Sequence, residues 1–285
     1  MPRSNMNLKI PVTAIVVTKN EEGRIARCLE ALSSFDEVLV VDSNSRDATC
    51  DVAQKMGARV EHFSWDGAYP KKRQWCLDQL ELAHDWVFFV DADEIVTRDV
   101  VDEIAALFDA EQPKEAGFFI EAQYIWQGRL LRHGLKNKKL VLFDRRRVCF
   151  PVIDDLELPG MGEIEGHYQP VLKGGFVADV IGSLCSVMQH DACDDKQAWE
   201  ERHWRYALWE AGMNVRDAWP KDPVVWRQRL KVFFHAMSYR DIAAFLHCYV
   251  LKLGFLDGIA GYDFARSRAR YYRMIRHASS SSNRG

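Results

Sequence analysis

The stretch 86–94, WVFFVDADE, constrains this chain more than any other. An apolar run from Trp86 to Val90 leads directly into the carboxylates Asp91, Asp93 and Glu94. A run this short, rich in β-branched and aromatic residues, reads as a strand buried on both faces, as inside a parallel sheet. In open α/β sheets, ligands settle beyond the carboxyl ends of the strands. Asp91 and Asp93 therefore stand where a ligand would lie, and two carboxylates at this spacing can share one hard divalent cation. The plainer reading is an acidic turn opening the next helix, since carboxylates favour helix N-termini.

The surrounding pattern repeats the same unit. Runs at 12–18, 37–41 and 59–62 join 86–91 as expected strands. Between the first two, Ile25, Cys28, Leu29 and Leu32 recur at i, i+3, i+4, i+7, one face of a helix. Helices are expected at 48–56, opened by the polar cluster 42–47, and at 71–82. Alternation of strand and helix predicts an α/β fold with a mostly parallel sheet and right-handed crossovers. A helix at 100–108 is followed by strands at 117–125 and 139–143, which flank a basic loop, 128–138. Residues 151–169 are rich in carboxylates and glycine and fit no element, which in a compact domain marks a functional loop. From about residue 195 the chain turns helical, with helices expected at 197–211, 224–237, 240–255 and 262–277. The reading is a first domain at 1–194, a helical extension at 195–277 and a disordered tail at 278–285.

Charge divides along the same boundary. The chain carries a net −3, but residues 196–285 carry +8 and the first 195 carry −11. A basic end on an acidic body gives the C-terminal part a surface role of its own. Arg266, Arg268, Arg270, Arg273 and Arg276, preceded by an apolar stretch, suit an anionic membrane surface. Nucleic acid is not expected, because the acidic half would repel phosphate chains. The seven cysteines form no CxxC pair, and their odd number is unlike a secreted disulfide framework. They read as reduced, mostly buried thiols of a cytoplasmic protein. Residues 1–9 lack the apolar core of a signal peptide. No stretch reaches the roughly 18 uninterrupted apolar residues of a membrane span. The nearest, 242–256, is broken by His247 and Lys252.

The first strand ends without a glycine-rich loop, so neither a P-loop nor a dinucleotide fingerprint is present. It offers Thr18, Asn20 and Glu21, suited to hydrogen-bonding a base or ribose, and the second strand ends on Asp42. Each could equally fill a turn or cap. In order, TAIVVTKNEE, VLVVDSNSRDAT, KKRQW and WVFFVDADE resemble the family 2 glycosyltransferases, inverting enzymes of the GT-A fold that use nucleotide-diphosphate sugars. The nearest likeness is to the bacterial group that builds lipopolysaccharide core and exopolysaccharide. It covers residues 12–96, and a weaker likeness extends to GFLDGIAGY at 254–262.

The resemblance implies that Thr18, Asn20, Glu21 and Asp42 hold the nucleoside of the donor, a UDP-sugar by preference. Lys72 and Arg73 stand where that group keeps polar or basic residues facing the nucleotide. Asp91 and Asp93 match its DXD motif, so Mg²⁺ or Mn²⁺ is the expected cofactor. Its acceptors imply a lipid-linked or nascent glycan, met at the inner face of the cytoplasmic membrane. One departure is Ala48, where many relatives have glycine.

Inverting transfer also needs a general base. The group's His-Glu pair is absent, and Tyr168 follows His167 where the carboxylate would stand. The loop offers Asp154, Asp155, Glu157, Glu163 and Glu165 instead, of which Glu165, then Glu163 and Asp155, are the expected bases. His190 resembles a histidine that the family keeps near the site, or else is structural. Two other readings are open. DADEIV superficially resembles the nucleophile motif of a HAD-like phosphohydrolase, although that motif should follow the first strand. A non-catalytic nucleotide-sugar-binding protein could keep the fold without a base.

Overall fold

The computed structural model describes residues 9–109, 112–165, 168–176, 178–193, 195–220 and 225–282. The first half is built as read: β1 (Ile10–Thr18), α1 (Ile25–Ala31), β2 (Phe35–Asp42), α2 (Thr49–Lys55), β3 (Arg59–His62), α3 (Lys72–Gln79) and β4 (Trp86–Asp91). After it come β5 (Glu94–Ile95), α4 (Arg98–Phe108), β6 (Gly117–Trp126), β7 (Arg129–Leu130), β8 (Asn137–Asp144), β9 (Val148–Cys149), β10 (Val171–Leu172) and β11 (Ile181–Cys193). Four helices close the chain: α5 (Lys196–Arg216), α6 (Val225–Ala236), α7 (Arg240–Leu246) and α8 (Gly258–Ser282).

The main sheet runs β3-β2-β1-β4-β8-β6-β11-β5, with β7 paired to β6. Strands β3, β2, β1 and β4 are parallel, β8 is antiparallel to both neighbours, and β6 pairs β11 in parallel. This is the mostly parallel, helix-flanked sheet that the alternation of strand and helix predicts. Its central strands are buried on both faces: Ile15, Val16, Val87, Phe88 and Val90 are sealed from solvent. Continuous apolar runs, rather than alternation, are what such strands require. Helix α4 presents Val100, Val101 and Ile104 to the sheet. Thr97 caps that helix by accepting from the Val100 N–H, and donates its hydroxyl to Val187 O on β11.

The long strand β11 is not among the strands expected from sequence. Its far end pairs β5 antiparallel, matching His190 to Glu94. A single local pairing thus brings residue 190 beside the acidic turn after β4. The helix expected at 240–255 breaks instead. After α7 the chain makes one wide turn, His247–Leu251, reaches a left-handed Leu253, and resumes through a tight turn at Gly254–Asp257. Helix α8 continues through Ser282, into the stretch expected as a tail, and 283–285 lie outside the described residues.

A second apolar cluster joins the sheet to these helices. Trp126, at the end of β6, packs edge-on against Trp199 of α5 and Phe264 of α8.

Candidate active site

The carboxyl ends of β1 and β4 open into a cavity of about 730 Å³, lined also by α3, β8, the 161–170 loop, α5 and α8. Thr18, Glu21, Lys72, Arg73, Asp91 and Asp93 all line it. Parallel pairing of β1 with β4 sets Val17 opposite Asp91, which fixes the two strand ends side by side.

Asp91 is already engaged. Arg73 Nη2 lies 2.5 Å from its Oδ1, and Lys139 Nζ, from β8, lies 2.8 Å from Oδ2. Lys139 also reaches Glu94 Oε1 at 2.5 Å. Burial alone would raise the Asp91 pKa, but Lys139 and Arg73 outweigh it and hold the carboxyl well below the usual range. Burial pushes the Glu94 carboxyl up, against Lys139 and with help from the Asp91 charge. Lys72, at the first turn of α3, is buried 3.4 Å from Glu163 Oε1, and burial lowers its pKa against that carboxylate's pull.

Asp93 differs. Its Oδ1 lies 3.6 Å from His190 Nδ1, and both buried atoms lack a hydrogen-bond partner. Buried polar atoms are nearly always satisfied. A carboxylate oxygen and an imidazole nitrogen left bare side by side are a fitting donor set for a divalent cation. Of the expected pair, both Asp91 oxygens are engaged by cationic side chains in this structure, while Asp93 Oδ1 faces His190 Nδ1.

Asn20 and Asp42 do not line the cavity. The Arg46 N–H donates to Asn20 Oδ1 at 2.9 Å, and the Asn20 N–H donates to Ser45 Oγ at 2.7 Å. Asp42, almost fully buried, accepts from the Ser45 N–H at 2.8 Å. In this structure they do what the turn reading anticipated, clasping the loops after β1 and β2. Glu21 does face the cavity, and burial raises its carboxyl pKa.

The loop carboxylates separate into three groups. Asp155 is withdrawn from any role as base: it is buried and accepts from Lys71 Nζ at 2.7 Å, Tyr69 OH at 2.7 Å and Trp209 Nε1 at 3.1 Å. Buried under these three donors and absent from the cavity lining, it is out of reach of an acceptor hydroxyl. Asp154 and Glu157 point outward to Arg216, at 3.1 and 3.0 Å. Glu163 and Glu165 line the cavity. Glu165 accepts the Gln74 N–H of α3 on Oε1 at 3.0 Å, while its Oε2 is buried without a partner. His167 lies outside the described residues.

Sequence reasoning missed Lys139 and the helical wall. Lys139 sat in an ordinary strand pattern, and only the antiparallel insertion of β8 beside β4 carries it to the acidic turn. His203 stacks on Trp199 at 3.8 Å and lines the cavity with Arg202, Arg205 and Tyr206. Of the tryptophans in the C-terminal helices, Trp199 lines the cavity, Trp209 is fully buried, and Trp204 and Trp226 are exposed.

Residues 13–147 match the family model described as glycosyl transferase family 2. An uncharacterized glycosyltransferase of Rickettsia conorii is 37% identical over 105 residues, covering 36% of each chain. The lipopolysaccharide core biosynthesis glycosyltransferase LpsC of Rhizobium meliloti is 29% identical over 139 residues, 44% of this chain and 50% of the relative. The chain thus aligns with about a third to a half of the length of these curated relatives. Among solved structures, glucosyl-3-phosphoglycerate synthase from Mycobacterium tuberculosis, in complex with Mn²⁺, UDP and phosphoglyceric acid, aligns with a TM-score of 0.42 and 18% identity. That alignment covers 75% of this chain and 80% of the synthase.

Proposed function

We infer that this chain, whose residues 13–147 match the model of glycosyl transferase family 2, is an inverting glycosyltransferase of the GT-A fold. It moves a sugar from a nucleotide-diphosphate donor, a UDP-sugar by preference, to a lipid-linked or nascent bacterial surface glycan. The anomeric centre is inverted, and the work is done at the inner face of the cytoplasmic membrane. The observation that carries this reading is the cavity at the β1 and β4 strand ends, where acidic Asp93 and cationic Lys72 and Arg73 converge. Lys72 and Arg73, at the N-terminal turn of α3, meet the donor diphosphate with positive charge. Mg²⁺ or Mn²⁺, held by Asp93 with His190, would supply neutralisation of the leaving diphosphate. Glu165 Oε2 takes the acceptor proton, and Arg202, Arg205 and Tyr206 form the acceptor wall. The name of the Rhizobium relative supports the acceptor class.

The phosphohydrolase alternative loses its footing, because DADE follows the fourth strand of the chain and not the first. A donor screen tests the rest: UDP-, GDP- and dTDP-sugars with Mn²⁺ and a membrane-lipid extract as acceptor source, read as release of the nucleoside diphosphate. Acceptor-dependent release from one donor class is expected. Tight UDP binding without release from any donor would leave the non-catalytic binding protein.

A further inference from the structure

The motif GFLDGIAGY at 254–262 is not used by the catalytic cleft, yet the chain is shaped around it. Two glycines let the backbone fold closely here: a Cβ on Gly261 would come within 1.9 Å of Gly254 O, which no side chain permits. The result is a bend of 73° between the helical segments on either side of the break at Lys252 and Leu253. Among the described residues no single helix is long and apolar enough to cross a membrane, but this bent pair is apolar enough when taken together.

The bend carries its apolar residues outward. Ile242, Leu246 and Val250 recur every four residues, and all are exposed. Beyond them Leu251 is 74% exposed, Leu256 54% and Ile259 85%, with Leu253 and Phe255 also outside. Phe245, Tyr249 and Tyr262 hold the two arms together, with ring centroids 5.3–5.8 Å apart. Isolated exposed hydrophobics are ordinary, but a continuous set on one bend marks an interaction surface.

The rim of this face is basic. Between residues 242 and 262 the only carboxylate is Asp257, and it is spent on accepting the backbone N–H groups of Arg132 and His133, at 3.0 and 2.9 Å. The Gly134 N–H donates to Lys252 O at 2.8 Å. These contacts dock the basic loop against the bend, leaving Arg132, His133, Lys252 and His247 exposed around the apolar apex. The α8 arginines that the sequence offered for this purpose are largely spent within the fold. Arg270 pairs with Glu200, Arg273 and Arg276 pair with Asp241, and Arg268 lies over Tyr271 and Tyr272.

We propose that the bend between α7 and α8, with the docked loop at 131–135, is a monotopic wedge that inserts into the surface of an anionic lipid bilayer. Its apolar apex enters the headgroup boundary, and Arg132, His133 and Lys252 meet lipid phosphates. The same loop continues into the cavity wall through Leu135, Lys136 and Asn137, about 10 Å of chain further on. The cleft thus opens beside the bilayer, where a lipid-linked acceptor would rise. The docking stands by itself; only this orientation toward an acceptor rests on the glycosyltransferase reading.

Flotation of the full chain with phosphatidylcholine vesicles, with and without about one third phosphatidylglycerol, tests the wedge. Binding that is stronger to the anionic vesicles and weakened by salt is expected. The triple variant Leu251→Ser, Leu256→Ser, Ile259→Ser should bind about tenfold or more weakly, with unchanged circular dichroism because all three side chains face solvent. Arg132→Glu with Lys252→Glu should remove the preference for anionic vesicles. Arg270→Gln with Arg273→Gln should leave binding within about twofold, since those arginines serve the fold. Hydrogen exchange in the wild type should slow at 246–259 when vesicles are added. Unchanged flotation of the triple variant would overturn the proposal. So would a lipid-independent dimer that the triple variant dissolves while neither form floats, which would make a second copy the occupant. Loss of sugar transfer with flotation intact would count against the enzymatic reading alone.

Discussion

At the scale of single residues, the cleft divides its carboxylates by what already holds them. Asp91 is clamped by Arg73 and Lys139, Asp155 is sunk beneath Lys71, and among the described carboxylates lining the cleft only Asp93 Oδ1 and Glu165 Oε2 are buried oxygens without a hydrogen-bond partner. That difference supports the proposed roles of Asp93 and Glu165. Asp93→Ala should weaken Mn²⁺-dependent UDP binding in calorimetric titration and abolish turnover, while leaving metal-free UDP binding nearly unchanged. Equal loss with and without Mn²⁺ would remove Asp93 from the metal site. Glu165→Gln keeps the size and can still accept the Gln74 N–H, but it removes the basicity of Oε2. Turnover should fall by ~10²–10⁴ with donor affinity within about twofold. Glu163→Gln, whose partner is Lys72, should instead alter donor affinity first. A normal rate in Glu165→Gln would move the base elsewhere in the cleft.

At the scale of elements, the 151–165 loop is tied to α3 and α5 by several polar contacts around one buried ion pair. Lys71, immediately before α3, and Asp155 form an ion pair 2.7 Å long with almost no exposure on either side chain. Tyr69 and Trp209 complete the satisfaction of the carboxylate. Around this hub the Lys72 N–H donates to Glu163 O at 3.0 Å, so α3 and the loop enter the cavity as a unit. A buried pair of this kind is weak evidence of net stability, but removing one partner strands the other charge. Lys71→Met should therefore cost about 3–5 kcal/mol in urea unfolding and expose the 151–165 loop to proteolysis. Adding Asp155→Asn should recover part of the loss by neutralising the stranded carboxylate. Additive losses in the double variant would show that the two side chains are not coupled.

At the scale of the whole molecule, legibility followed sequence distance. The four parallel strands and their crossovers were readable because each is a local pattern, and Thr18, Glu21, Lys72, Arg73, Asp91 and Asp93 converge because strand ends converge. What sequence did not disclose came from long-range pairing: Lys139 through β8, the pairing of β11 with β5 that sets His190 opposite Glu94, and the sinking of Asp155 under Lys71 and Trp209. The helical break at Leu253 was hidden because 240–255 is apolar throughout, and only the packing of Gly254 against Gly261 reveals the bend. The cysteines, read as buried thiols, lead to a final prediction about the entire fold. Cys28, on the inner face of α1, has its pKa pushed up to about 12 by burial and by the charges of Glu94, Asp91 and Asp93. Cys50 is raised to about 11 by burial and by Asp42. In the unfolded chain a thiol ionises near 9. Above that pH the unfolded chain has shed protons that the folded chain still holds, so stability must fall as pH rises. Below about 9 both states keep these protons, and the two thiols contribute no pH dependence. Unfolding in urea at pH steps from 8 to 11 should show stability declining through the upper half of that range. In Cys28→Ala with Cys50→Ala the decline should be shallower, even though the variant starts from a lower stability at pH 8 because a buried sulfur has been removed. An identical slope in wild type and variant would assign the alkaline loss to other groups, the buried tyrosines Tyr168 and Tyr271 first among them.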